Sequence, residues 1–137
     1  MTIQDLGLVT TQKVVLFEGD TTLSGKGSYN LNQSLKDFDF IYVEYKPPAN
    51  NLVTQFFETS ALKETKNLLT TFAFNMQDGN PNTMYFYEYQ IEFNSNLDNF
   101  TVSHSLMNRF ATNNNGNFTT TTDSLDIGVV KIIGFKF

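Results

Sequence analysis

The sequence predicts an all-β domain: an antiparallel β-sandwich, jelly-roll-like, of about eight strands. Three observations lead there. Aromatic and β-branched residues recur at every second position in runs of strand length, as a pleated surface with one buried face requires. Clusters of turn-forming residues separate these runs. No stretch of helical periodicity lies between them, which argues against parallel βαβ units.

The elements follow in order. Residues 1–12 read as a lead-in or attachment segment, and residues 13–137 as a single sandwich domain. The first strand, residues 13–18, stops at Gly19 and Asp20. Gly25 and Gly27 lead into strand-like residues 28–32 rather than a helix, so no phosphate-binding loop is expected. Residues 38–45 form the strongest central strand. They are apolar on both alternations, so both faces are expected to be at least partly covered, and Pro47 and Pro48 end the strand. Residues 52–60 favour a strand, with a 3₁₀ turn within residues 60–66. Residues 67–75 place Leu68, Thr70, Phe72 and Phe74 on one face, with Leu69, Thr71 and Ala73 on the other. Asp78 and Gly79 centre the next turn. Residues 83–93 carry the clearest alternation: Tyr85, Tyr87, Tyr89, Ile91 and Phe93 against Phe86, Glu88, Gln90 and Glu92. Phe100, Val102, His104 and Leu106 are expected to share a face. Residues 111–123 read as an edge strand with an exposed, Asn-rich hairpin tip, and residues 128–137 as the last strand.

Composition narrows the function. The chain has no cysteine, which removes disulfides and thiolate chemistry. Nine basic residues against fourteen acidic ones give a net charge of −5, so neither a nucleic-acid nor an anionic-membrane partner is expected. Residues 1–9 have neither the basic nor the apolar region of a secretion signal, and none is expected. His104 is the only histidine, and its alternation predicts a half-buried core residue rather than a metal ligand. Ser103 and Ser105 flank it on a strand and so point away from it. Glu88 and Glu92 lie roughly 13 Å apart along their strand, too far for a glycosidase pair. Asp123 and Asp126 lack EF-hand spacing. No catalytic residue, cofactor or metal is therefore expected. The candidates for ligand contact are tyrosines able to stack on a sugar: Tyr29, Tyr42 and Tyr45. The row Tyr85, Tyr87 and Tyr89 reads as core or subunit interface.

Three motifs carry a resemblance. Residues 13–19 read Lys-Val-Val-Leu-Phe-Glu-Gly. Residues 31–41 contain Leu31, Ser34, Phe38, Asp39, Phe40 and Ile41 in the spacing leucine, polar, polar, serine, three residues, Phe-Asp-Phe-Ile. Residues 131–136 read Lys-Ile-Ile-Gly-Phe-Lys. Together they resemble small β-sandwich domains of tailed bacteriophages, found as virion appendages or at the ends of tail proteins. The resemblance implies core roles for Phe17, Leu31, Phe38, Phe40, Ile41 and Ile133. It also implies a non-enzymatic structural protein of the virion, assembled in the bacterial host cytoplasm, in a tail or head fibre or at a receptor-binding tip. A homotrimer is implied, with residues 1–12 attaching to other virion proteins and a host-surface saccharide as a possible receptor. The alternative is a stand-alone carbohydrate-binding module, against which the absence of tryptophan counts.

Overall fold

The computed structural model describes residues 11–19, 27–46, 52–76, 82–111, 117–122 and 127–137. Nine strands form two antiparallel sheets, a β-sandwich as predicted: β1 (Gln12–Glu18), β2 (Ser28–Asn30), β3 (Phe40–Lys46), β4 (Val53–Glu58), β5 (Leu68–Met76), β6 (Thr83–Phe93), β7 (Asn99–Ala111), β8 (Asn117–Thr122) and β9 (Gly128–Lys136). The first sheet runs β1-β9-β3-β4 and the second β2-β7-β6-β5, with β8 also paired to β7. The pairs β1–β9 and β2–β7 close long stretches of chain, which gives the jelly-roll-like character. The hairpin β3–β4 and the succession β5–β6–β7–β8 are local. β1 begins at Gln12, so the strand claims the last residue of the expected lead-in; residues 1–10 lie outside the described residues. So do Asp78, Gly79, Asp123 and Asp126.

Each motif now has a physical reason. Leu31, Leu35 and Phe38 are buried and plug one end of the sandwich. The chain turns there through a 3₁₀ turn, Leu35–Asp37, whose N-cap Ser34 accepts a hydrogen bond from the Lys36 amide at 3.2 Å. Ser34 Oγ also donates to Asn96 O at 2.7 Å, tying the plug to the β6–β7 turn. The glycine of the closing motif is explained by Phe38: a Cβ on Gly134 would lie 2.6 Å from the Phe38 ring. Phe40 departs from the expected core role. It is half-buried on the outer face of the first sheet, because alternation sends Ile41, Val43 and Tyr45 inward and Phe40, Tyr42 and Glu44 outward. The outer positions are half-buried, so partial cover on both faces of β3 holds.

A bulge corrects the expectation for His104. Gln90 pairs with His104 and Ile91 with Val102, leaving Ser103 as the extra residue. Beyond such a bulge the strand changes phase. Phe100 and Val102 point into the core, but past Ser103 it is Ser105, 4% exposed, that is buried. His104 instead lies outside, its Nε2 3.8 Å from Glu88 Oε1 on the neighbouring strand. Ser103 Oγ donates to Gln90 Oε1 at 3.0 Å, which holds the bulge in place.

Two polar links cross the core between the sheets. Tyr45 on β3 donates its hydroxyl to Gln55 Oε1 at 2.9 Å, and Gln55 Nε2 donates to Thr70 O on β5 at 3.0 Å. The Tyr89 hydroxyl on β6 is in hydrogen-bond contact with the backbone of Val129 on β9. The two tyrosine rings meet edge to face at 5.9 Å. Burial pushes both phenols well above the ordinary value of 10.0; Tyr89 adds to the rise at Tyr45, while at Tyr89 the Val129 backbone contact opposes it and Tyr29 adds to it.

Two outcomes follow. Gly134→Ala should cost about 1–3 kcal/mol in urea unfolding, because Phe38 must leave its place; an unchanged midpoint would mean that the ring gives way freely. The tyrosines set an alkaline limit. Their folded-state pKa values are raised, so the unfolded chain loses these protons first. The stability they contribute is complete below pH 10 and falls above it, by about 1.4 kcal/mol per pH unit for each tyrosine. Urea titrations between roughly pH 8 and pH 11.5 should show this slope. Tyr45→Phe should reduce it by about half.

Candidate binding surfaces

The three predicted tyrosines do not converge. Tyr45 is fully buried and serves the inter-sheet link, so it cannot stack on a ligand. Alternation on β3 made this inevitable once Ile41 and Val43 faced the core. Tyr29 is half-buried, its ring 5.3 Å from Phe100 and 5.9 Å from Phe17, and belongs to the packing at the β2 end. Tyr42 is half-buried on the outer face of the first sheet. Its phenol is held above the ordinary range first by desolvation and then by Glu44. Tyr87 and Tyr89 are core residues.

The outward aromatics are phenylalanines, and they form two clusters. On the second sheet, Phe72 is 68% exposed, Phe74 56% and Phe86 39%. Phe74 and Phe86 are a cross-strand pair with ring centroids 5.3 Å apart. Met84 and Leu106, both half-buried, share this face by register. β5 explains the cluster: Thr71 is buried and Ala73 half-buried, so the small residues face the core and the large rings face outward. A run that buries Thr and exposes Phe is the reverse of what its own packing favours.

On the first sheet, Phe40 stacks on Phe56 at 5.3 Å with the rings 5° from parallel, Phe137 meets Phe40 edge-on at 5.3 Å, and Phe135 lies 5.8 Å from Phe56. This second cluster borders a cleft of about 720 Å³ at the end of the sandwich, walled by Phe40 and Phe137. Asp39 organises it. Its amide donates to Phe135 O, its carbonyl accepts from the Thr59 amide, and its Oδ2 accepts from the Phe137 amide, each at 2.9 Å. Thr59 lines the cleft at 7% exposure, with a buried Oγ1 that has no hydrogen-bond partner. Leu97, also lining it, has φ 56°, a left-handed conformation that costs a non-glycine residue about 1–2 kcal/mol. The turn around it is held by Asn94 and Asp98, whose side chains bond each other at 2.7 Å, and by the Leu35 amide, which donates to Leu97 O at 2.8 Å.

Among the described residues no group of three or more His, Asp or Glu is placed to hold a metal ion, and no helix is long and apolar enough to cross a membrane. No family model, no curated protein and no solved structure matches the chain.

Asp39→Ala should release the end of β9. The Phe137 amide should then lose protection in hydrogen exchange followed by NMR, while the amides of β6 and β7 keep theirs; retained protection at Phe137 would show that Asp39 is not the anchor.

Proposed function

We propose that the chain is a non-enzymatic assembly module, a β-sandwich subunit that packs against further copies of itself as an appendage of a bacteriophage virion. The observation that carries this reading is the outward cluster of Phe72, Phe74 and Phe86. Exposed apolar patches of this kind mark interaction surfaces, and here the rings stand on the outer face of the second sheet. In a ring of identical subunits such a patch packs on a different face of the next copy, so one exposed cluster per chain suffices for a closed trimer. The virion setting rests on the resemblance of the three strand motifs alone; within the fold, Ser34 caps the end plug, Phe38 covers Gly134, and Asp39 ties β9. The motifs' resemblance favours three copies and a tail or head appendage, with residues 1–12 as the attachment to other virion proteins.

The test is oligomeric state. At micromolar concentration, light scattering should give three times the 15.6 kDa chain mass. Replacing Phe72 and Phe74 by Ser should give a folded monomer, since those side chains make no core contact that the fold needs. A wild-type chain that stays monomeric, or a double variant that stays assembled, would contradict the reading.

A further inference from the structure

The cleft beside the first-sheet cluster has a composition that points to one kind of ligand. Two of its walls are phenylalanine rings, and Phe137 is 55% exposed, so an aromatic face is open to a partner. Lys36 and Lys63 border it, and neither ammonium forms an ion pair with a described residue. Asp39 and Glu58 border it too, so the four charges cancel. The lining thus offers strong donors and strong acceptors around an apolar wall, and its cationic side chains are matched by anionic ones. The chain's overall charge of −5 disfavours an anionic ligand further. The volume of about 720 Å³ lies within the roughly 300–1,000 Å³ typical of small-molecule sites.

A pyranose matches each term. It presents a face of C–H groups to an aromatic ring, and a rim of hydroxyls that each donate and accept. The lysines would donate to those hydroxyls, and Glu58 would accept from them. Among the described residues Glu58 is engaged only by a long 3.4 Å hydrogen bond from Ser60 Oγ, so its acceptor capacity toward them is largely unused. The site is also pre-organised. The three hydrogen bonds to Asp39 and the left-handed turn at Leu97 fix the floor before any ligand arrives, which lowers the entropic cost of binding. We infer that this cleft binds a neutral saccharide, stacked on Phe137 with Phe40 as a side wall, and hydrogen-bonded by Lys36, Lys63 and Glu58. This deepens the appendage reading, and rests on it only for where the sugar would be met, on a host surface.

Saturation-transfer NMR on the full chain tests it, irradiating the aromatic protons in the presence of methyl β-D-glucopyranoside, methyl β-D-galactopyranoside, methyl α-D-mannopyranoside and glucuronic acid in turn. Transfer to the ring C–H protons of at least one neutral glycoside is expected. Titration of that glycoside should show about tenfold weaker binding to Phe137→Ala, and a similar loss with Lys63→Ala, an exposed position whose substitution leaves the fold intact. No transfer to any of the three neutral glycosides overturns the inference. So does binding that both variants retain, or a preference for glucuronic acid. The same titration on the chain with Phe72→Ser and Phe74→Ser separates the two readings. Undiminished binding there supports an end-cleft site, whatever the oligomeric state. Binding that depends on Phe72 and Phe74 rather than Phe137 places the sugar elsewhere and overturns the assignment.

Discussion

The two sheets are locked in one relative position by a short polar chain through a mainly apolar interior. Apolar contact is non-directional and would let the sheets slide. Hydrogen bonds in a buried setting permit few alternatives, because breaking one strands a donor or acceptor away from water. Tyr45, Gln55 and the Thr70 carbonyl supply that constraint, and Tyr89 with Val129 supplies a second one beside it. Gln55 does a second thing. It stands on the edge strand β4 and occupies a carbonyl of the edge strand β5, so the open side of the sandwich is bridged and less able to pair with a foreign strand. With the sheets fixed, which aromatic rings point outward is fixed as well.

That division of the aromatics organises the surface. Tyr45, Tyr87 and Tyr89 and the phenylalanines Phe93 and Phe100 fill the interior, with edge-to-face contacts between Tyr45 and Tyr89 and between Phe93 and Phe100. The phenylalanines Phe72, Phe74 and Phe86 stand outward on one sheet, and Phe40, Phe56 and Phe137 on the other. Phenylalanine has no polar atom, so its exposure gains nothing from water. The two clusters differ in their surroundings. The second-sheet cluster spans two paired strands of an outer sheet face, and the first-sheet cluster runs into a cleft with charged groups of both signs. One suits a broad contact and the other a small ligand.

Much of the fold was legible in the sequence because alternation reports period directly. The strand rhythm, the end of β3 before Pro47, the 3₁₀ turn at Thr59–Lys63 and the two faces of β6 could all be read residue by residue. Phase is what alternation does not report. Nothing in β5 says whether Phe72 and Phe74 or Thr71 and Ala73 face the core, and hydrophobicity points the wrong way. The bulge at Ser103 carries no turn-forming glycine or proline, so the reversal that moves His104 outside leaves no mark in the sequence. The site was less legible still. A tyrosine looks equally fit for a wet rim and a buried hydrogen bond, and only the position of Gln55 across the core decides for Tyr45. The cleft joins residues from the end plug, β3, β4, the second 3₁₀ turn, the β6–β7 turn and the end of β9, which no local pattern brings together.

The central claim is that outward phenylalanines on the second sheet meet another subunit while those beside the cleft stay open. Carbene footprinting read by mass spectrometry tests this most directly, since a carbene inserts into any accessible C–H bond. At micromolar concentration the account predicts that Phe72, Phe74 and Phe86 are protected while Phe137 is labelled, and that dilution to nanomolar exposes the first three without changing Phe137. Labelling of Phe72 and Phe74 as strong as that of Phe137 at every concentration would contradict it.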